Sequence, residues 1–390
     1  MTLADAEQMA LAANPSVARA AALVEAARGN WIQVGLPPNP SVGYEGQQIG
    51  SGGRAEQDGV FVEQEFVRGG KLGLNRQVAA QEWARREQEL AAQQQRVVTD
   101  VRIAFYHVLI AQLEVRSLER LKEFREQSRE HPDRLLAAEE ISRQERYQLQ
   151  IELENAQNTI VRAENRRTAA WKNLATIMGH PDLPPQALEG EAAFLPEMKL
   201  DREAVVQRLL TSSPEIAAAM TNIERARWAA ERALVERTPN VTVQGLVNWR
   251  DNGIGGDPDG AITVGLPMPL WNRNQGGIRQ AAQEAAAAER ALDQLELNLQ
   301  NRLASIYERY ASAYDLVAGY ERAGGLRELD ESIRRTISLW PMQLGTPQFL
   351  IEFRAYSEIR ANYFEALREL RSTEAEIEGL LLSGSLENRQ

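Results

Sequence analysis

The sequence predicts a mainly α-helical chain that carries one unit twice, each copy combining a long antiparallel pair of coiled-coil helices with two short β-strands. Three observations lead there. Sequence fragments recur at a spacing near 200 residues, apolar residues hold a heptad phase over long stretches nearly free of Gly and Pro, and two regions in each half switch to period two.

The recurrence is seen in short matches whose offset drifts slowly. Asn14-Pro15-Ser16-Val17 is echoed by Ser213-Pro214-Glu215-Ile216, Pro38-Asn39 by Pro239-Asn240, and Ala79-Ala80-Gln81-Glu82 returns unchanged as Ala281-Ala282-Gln283-Glu284. Small loop insertions in a duplicated unit give such drift; chance matches would scatter. Phase is the stronger test. The seam Val97, Val101, Ala104, Val108, Ala111, Val115, Leu118 maps onto Leu299, Leu303, Ile306, Tyr310, Ala313, Val317, Tyr320 in one register. A partner seam, Leu149, Leu153, Ala156, Ile160, Ala163, Arg167, Ala170, Leu174, Ile177, maps onto Glu352, Tyr356, Ile359, Tyr363, Ala366, Leu370, Thr373, Ile377, Leu380.

Glycine and proline bound these helices. No Gly separates Gly73 from Gly179 and Pro132 is the lone Pro of that stretch, so a helix is expected from about Leu72 to His131, at about 1.5 Å per residue. Pro132 breaks it, and an antiparallel partner runs from about Ser142 to Met178, ended by Gly179 and Pro181. The second half repeats the plan from about Gly277 to Leu339, with bends at Gly319 and Gly324-Gly325, a break at Trp340-Pro341 and Gly345-Thr346-Pro347, and a return to about Leu382. Shorter helices open each half, one capped by Thr2 and stopped at Asn14-Pro15, its counterpart following Asp201 and meeting Ser213-Pro214. The resulting organisation is a first repeat at 1–180, with a β-hairpin near 39–68 and a helical hairpin near 70–178. A proline-rich linker follows at 181–199, then a second repeat at 200–384, with a β-hairpin near 239–270 and a helical hairpin near 277–382, and a tail at 385–390.

The strand regions alternate. Val42 and Tyr44 stand among Ser41, Gly43 and Glu45, and Val60, Val62 and Phe66 stand among Glu63 and Glu65, across a tip at Ile49-Gly50-Ser51-Gly52-Gly53. Val241, Val243, Val247 and Trp249 alternate with Thr242, Gln244, Asn248 and Arg250, and a turn at residues 251–258 leads into Ile262, Val264 and Leu266. A soluble hairpin lying on helices has this pattern, and so does the wall of a transmembrane barrel. Four strands are fewer than the roughly eight of the smallest single-chain barrels, so a membrane role requires chains to pool them; three chains give twelve.

Composition excludes several classes. No uncharged apolar run approaches the roughly 18 residues of a membrane-spanning helix. With 44 Lys and Arg against 55 Asp and Glu, a formal charge of -11, and no basic block, nucleic acid is not an expected partner. Cysteine is absent, which removes disulfides and thiolate chemistry. His107, His131 and His180 lie far apart with no ligand spacing, and no phosphate loop, nucleophile elbow or zinc-helix motif occurs, so neither metal, cofactor nor enzyme activity is expected. The start, Met1-Thr2-Leu3-Ala4-Asp5, has no basic segment and apolar stretch ahead of it, so any export signal is expected to have been removed or never to have existed.

The opening Leu3-Ala4-Asp5-Ala6 with Ala10-Leu11 and Asn14-Pro15, the run Gly35-Leu36-Pro37-Pro38-Asn39-Pro40-Ser41, and the crossing Leu266-Pro267-Met268-Pro269-Leu270-Trp271-Asn272-Arg273-Asn274-Gln275-Gly276 resemble the TolC-like outer-membrane efflux proteins, or outer-membrane factors, of Gram-negative bacteria. That last run resembles the heavy-metal efflux branch. The first repeat departs from the family pattern at Val67-Arg68-Gly69-Gly70-Lys71, where an apolar, proline-bearing crossing is usual. The resemblance implies a homotrimer whose twelve strands form an outer-membrane β-barrel continued by an α-helical tunnel in the periplasm. It further implies a passive conduit for small solutes, with heavy-metal cations favoured, working with a periplasmic adaptor (membrane fusion) protein and an inner-membrane transporter of the resistance-nodulation-division type, in contact with outer-membrane lipid. A type I protein secretion channel is an alternative within the channel class, and a periplasmic coiled-coil adaptor or scaffold one outside it.

On this reading function concentrates at the helical hairpin ends. Leu135, Leu136, Glu139, Glu140, Ile141 and Ser142, with Gln343, Leu344, Gly345, Thr346 and Gln348, are the expected adaptor contacts, though ordinary helix-turn chemistry accounts for the same residues. Asp133, Arg134, Arg334 and Arg335 are the candidate gate charges, and exposed pairs of this kind contribute only about 0–1 kcal/mol each.

Overall fold

Both halves of the chain follow one order of elements in the computed structural model, which describes residues 1–387 apart from 48, 50–52, 54, 56, 129, 191–194, 196–197, 252–256 and 341–344, and describes no side chain at 120, 127, 250 or 251. The first half runs α1 (Leu3–Ala13), α2 (Pro15–Gln33), β1 (Ser41–Gln47), β2 (Gln57–Phe66), α3 (Lys71–Ser117), α4 (Glu119–Gln127), α5 (His131–Ala137) and α6 (Arg143–Ile177). The second runs α7 (Arg202–Ser212), α8 (Pro214–Val235), β3 (Val241–Asp251), β4 (Asp259–Gly265), α9 (Gln275–Arg322), α10 (Gly325–Leu339) and α11 (Thr346–Glu378). The protein is mostly helical, with few strands. By contacts it divides into a first unit of residues 1–19, 91–213 and 297–390 and a second of residues 20–90 and 214–296.

The short opening helices are fixed by their caps. Thr2 and Asp5 exchange side-chain and backbone hydrogen bonds in a capping box, and Asp201 caps α7 through the Ala204 amide. Each helix ends on a residue before proline, Asn14 at φ -70, ψ 121 and Ser213 at φ -70, ψ 124, the extended backbone that the following ring enforces. Asn14 also donates to the Ile177 carbonyl at 2.8 Å, which ties the start of the chain to the end of α6. There Gly179 takes a left-handed φ of +78, and a Cβ at that position would lie 2.6 Å from the Ala13 carbonyl oxygen.

The long helices break earlier than their Gly and Pro content predicts. The expected helix from Leu72 to His131 closes at Ser117, reopens as α4, and ends again at Gln127, with α5 beginning at His131. The Ser117 hydroxyl donates to the Glu114 carbonyl at 2.8 Å, a local competitor to the helical ladder. Pro132 acts upstream: having no N–H, it cannot bond the carbonyl four residues back at Ser128, so α4 stops at Gln127 and Pro132 sits in the first turn of α5. In the second half Gly324, at φ +101, separates α9 from α10, whereas Gly319 lies within α9 without a break.

Within the first unit the heptad seams are the core. Val97, Val101, Ala104, Val108, Ala111 and Leu118 are buried, as are Leu299, Leu303, Tyr310, Ala313 and Val317 on α9 and Leu149, Ala156, Ile160, Ala163 and Leu174 on α6. Other seam positions, among them Val115, Ile306 and Leu153, are half-buried, and Arg167 and Ile359 are exposed. The α11 helix buries a face much wider than one seam, adding Phe349, Phe353, Arg360, Phe364 and Leu367. The reason is its number of neighbours. Arg368 reaches Glu114 on α3, Arg354 reaches Glu152 on α6, Glu369 meets Arg309 on α9, and Tyr356 meets Asp330 on α10. Residues 181–190, expected as a linker, are pinned in the same unit: the Trp171 indole donates to the Leu183 carbonyl, the amino terminus to the Ala187 carbonyl, and Leu188 is buried.

Within the second unit, Ile223 and Ala226 of α8 pack on Ala288 of α9, and Trp31 of α2 lies 5.8 Å from Trp83 of α3, with the Arg76 guanidinium 4.3 Å above the Trp31 ring. The strands form one antiparallel sheet in the order β1-β2-β3-β4. The two hairpins are therefore joined edge to edge, β2 of the first repeat to β3 of the second, through a register that runs from Gln57↔Asp251 to Phe66↔Val241. No helix among the described residues is long and apolar enough to cross a membrane.

One half-buried group is expected to make the stability of the helical core pH-dependent. His107 lies between α3 and α11 with a ring nitrogen 2.8 Å from Ser372 Oγ, and burial, reinforced by the Arg368 guanidinium, holds its imidazole below the usual range while Glu369 opposes. The folded chain then refuses a proton that the unfolded chain accepts below about pH 6.5. Stability is expected to fall as pH drops from about 6.5 through the lowered folded value, and not to depend on this group above 6.5. Thermal melting across that window checks it; His107→Gln is expected to melt with a shallower pH dependence.

Candidate functional site

The sheet presents two chemically different faces. Val42 and Tyr44 of β1, Val60, Val62 and Phe66 of β2, Val241, Val243, Val247 and Trp249 of β3, and Ile262 and Val264 of β4 share one face, because cross-strand partners point the same way. Most of these side chains are open: Val42 is 74% exposed and Ile262 81%, values that rule out cover from the chain's own helices. Gln64 and, near the end of the sheet, Asp58 are polar residues on that face, and the Gln64 amide donates to the Pro38 and Glu65 carbonyls at 2.9 and 2.8 Å. Near the end of the sheet a bulge puts Asp58 opposite Arg250 and Gly59 opposite Asn248, leaving Trp249 as the extra residue, its ring 6.2 Å from Tyr44, whose hydroxyl bonds Asp58.

The other face carries Ser41, Glu45, Glu63, Glu65, Thr242, Gln244, Asn248 and Thr263. Phe61 and Leu246, opposite each other, are its large apolar members, and Phe61 fits only because its strand neighbour is Gly43, where a Cβ would lie 2.5 Å from the ring. At the helix-proximal end Glu65 accepts from Asn240 Nδ2 at 2.7 Å, and Asn240 Oδ1 accepts from the buried Lys71 ammonium at 3.0 Å. The two outer strands, β1 and β4, have no further strand partner among the described residues. The expected hairpin tip at 49–53 lies in large part outside the described residues, as do 252–256 of the second turn.

The helical hairpin ends are built on an aromatic cluster. Trp340 stacks on Phe349 at 4.9 Å, Phe124 lies 5.6 Å from Phe349, and Leu135 and Ile141 pack into the same core. Of the expected adaptor contacts, Leu135 and Thr346 are therefore buried, Leu136 and Ile141 half-buried, and Glu139, Glu140, Ser142, Gly345 and Gln348 exposed. Gln343 and Leu344 lie outside the described residues. The turn has a definite shape: α5 closes with the Glu139 amide on the Leu136 carbonyl and the Glu140 amide on that of Leu135, and Ser142 caps α6 in a box with Glu145. Glu139 occupies the left-handed position of this closure at φ +58, where glycine is the comfortable residue.

The candidate gate charges are engaged locally. Asp133 accepts from Arg146 at 2.9 Å, Arg134 pairs with Glu130 and Arg335 with Glu331, each one turn away, and Arg334 is exposed. The stronger charge cluster lies deeper and has no motif. Buried Glu114 accepts from Arg166 at 2.7 Å and from Arg368 at 3.3 Å, while Arg360, 2% exposed, donates to Ser117 Oγ at 3.2 Å. Burial pushes the Asp330 carboxyl up, against the Tyr356 hydroxyl and the Arg360 and Arg334 guanidiniums. The three histidines are dispersed, His107 in the core, His131 beside Trp340 and His180 after α6, and no cluster of potential metal ligands occurs among the described residues.

The sequence profile of the family described as outer membrane efflux protein matches residues 7–180 and 205–334. The cobalt-zinc-cadmium resistance protein CzcC of Cupriavidus metallidurans is 23% identical over 289 residues, 74% of this chain and 68% of CzcC. The solved structure of the outer-membrane channel OprN superposes with a TM-score of 0.77 at 17% identity, covering 99% of this chain and 91% of OprN. A CusC structure, described in terms of transmembrane channel formation, superposes with a TM-score of 0.75 at 16% identity, covering 98% and 92%. The fold is that of the TolC-like channels.

A barrel wall makes opposite demands on the two faces. Val62→Arg, on the apolar face, is expected to cost about 2–4 kcal/mol of stability in lipid, and Thr263→Arg, on the polar face, close to nothing. Urea titration of the protein folded into vesicles separates them.

Proposed function

We propose, for a chain that belongs to the outer membrane efflux protein family, that three copies pool their sheets into one twelve-stranded barrel and form the outer-membrane channel of a tripartite efflux system. The open apolar face with two unpaired strand edges carries this reading. In hydrocarbon every backbone N–H and C=O needs a protein partner, so a four-stranded sheet is stable there only when its edges meet those of other copies. The polar face then lines water, and cargo crosses without losing its hydration. Conduction is passive, so the driving force belongs to an inner-membrane transporter, of the resistance-nodulation-division type by family resemblance, reached through a periplasmic adaptor.

Heavy-metal cations are the cargo this reading favours. The similarity to CzcC supports them, as do Glu45, Glu63 and Glu65 on the face assigned to the lumen. The adaptor is expected at the exposed part of the hairpin ends, Glu139, Glu140, Ser142, Gly345 and Gln348, with Leu135, Ile141 and Thr346 supporting the turn from inside.

Detergent extraction from outer membranes is expected to give a particle of three 43.6 kDa chains that conducts in planar bilayers. A soluble monomer from the same extraction would overturn the proposal. Gly345→Arg and Ser142→Arg are expected to abolish adaptor-dependent export and leave that particle intact. Ser142→Thr keeps both cap and size and is expected to export normally; normal export by the arginine variants would remove the tips from the adaptor site.

A further inference from the structure

The chain leaves β4 through a segment whose side chains and backbone suit a lipid boundary. Gly265 makes the last ladder pair of β4, with Thr242. Beyond it Leu266, Met268 and Leu270 keep the alternation of Ile262 and Val264 and are 51%, 73% and 56% exposed, and Trp271 is 86% exposed. The residues between them are Pro267 and Pro269, whose rings fix φ and which have no N–H to leave unpaired. The segment also supplies its own polar partners. The Leu270 amide bonds the Met268 carbonyl at 2.9 Å, Arg273 Nε donates to the Pro269 carbonyl at 3.3 Å, and the Gln275 amide to the Trp271 carbonyl at 3.1 Å. Asn274, at φ +59, turns the chain into α9 and donates to the Ala233 carbonyl at 2.9 Å.

The equivalent crossing of the first repeat has a different composition. There Phe66 is followed by Val67, Arg68, Gly69 and Gly70, so no tryptophan and no proline flank the end of β2. Duplication alone therefore does not account for the run of Leu266 to Trp271, and neither does packing within the chain, given its exposure.

We propose that residues 266–273 anchor the channel at the inner boundary of the bilayer, with Met268 and Leu270 among the acyl chains, Trp271 at the glycerol level and the exposed Arg273 toward a lipid phosphate. The tryptophan suits that level because its ring is apolar and its indole N–H is not. Tyr44 and Trp249, near the opposite end of the same face, form the matching outer belt. One anchor per chain gives three per trimer. The inference rests on the barrel reading above and adds to it an assignment that the barrel does not require, since this segment lies outside the hydrogen-bonded strands.

The absence of cysteine allows single labels to decide it. Spin labels are placed one at a time at Met268→Cys, Leu270→Cys and, as a control inside the sheet, Ile262→Cys, in trimers reconstituted into phosphatidylethanolamine and phosphatidylglycerol vesicles. Collision with oxygen, which concentrates in lipid, is compared with collision with a water-soluble nickel chelate. Oxygen is expected to dominate at all three positions, with the greatest depth at 262. If 262 is in lipid while 268 and 270 are closed to both probes, the segment is seated on a neighbouring copy; if they favour the nickel chelate, it is in water. Either result overturns the anchor and leaves the channel standing. A label at 262 that does not favour oxygen overturns the membrane reading itself, and the anchor with it.

Discussion

A strand edge in hydrocarbon leaves a row of N–H and C=O groups that water cannot satisfy, and this protein has two such edges on one sheet. Its apolar face is likewise uncovered, with Val42 and Ile262 among the most open side chains of the chain. Other features follow from that constraint. Strands of 7 to 11 residues approach the length of a tilted barrel wall, and Tyr44 and Trp249 set aromatic rings toward the loop end of the sheet's apolar face. The polar residues on the apolar face are tied down, the Gln64 amide to backbone carbonyls and Asp58 to the Tyr44 hydroxyl.

The helical part answers to a different requirement. Its heptad seams give an apolar core, yet the buried positions of α11 include Arg360 and Arg371. Glu114 is buried, Arg368 partly so and Arg166 exposed; leaving such a buried carboxylate with no partner at all is costly, while replacing buried ion pairs by apolar residues is often neutral. Such a cluster therefore specifies which helices meet more than it adds to stability. It ties α3, α6 and α11 in one arrangement. At the hairpin end the fixing is done by aromatic packing and caps, and Glu139 keeps a left-handed backbone that a glycine would adopt more easily.

Much of this was legible in the sequence. Period two placed the strands because each has one polar and one apolar face, and the seam residues Val97 to Ala111, and Leu299, Leu303, Tyr310, Ala313 and Val317, are buried because long helices repeat their contacts every seven residues. The breaks were less legible. Gly324 announced one, but those near Ser117 and Ser128 depend on a hydroxyl back-bond and on a proline acting four residues upstream. The joining of β2 to β3 across the repeats had no local signal, since pairing between strands about 180 residues apart is decided by the sheet as a whole. Arg360 was hidden because an arginine one position from a seam reads as a surface residue, and only the number of helices around α11 buries it. Among the residues assigned to the hairpin ends, sequence position could not tell Leu135 and Thr346, which face inward, from Glu140 and Gly345, which face out.

The pooling of sheets is tested most directly at the two open edges. Within one chain β1 and β4 are separated by three strand spacings, about 14 Å, well beyond the Cα separation a disulfide tolerates, so a bond between them can form only between copies. Paired cysteines, one at Val42 or Tyr44 and one at Gly260, Ile262 or Val264, oxidised in the native outer membrane, are expected to give covalent trimers for the pairs in register. Chains that remain monomeric across the whole panel, while the membrane fraction still contains them, would contradict a barrel shared among copies.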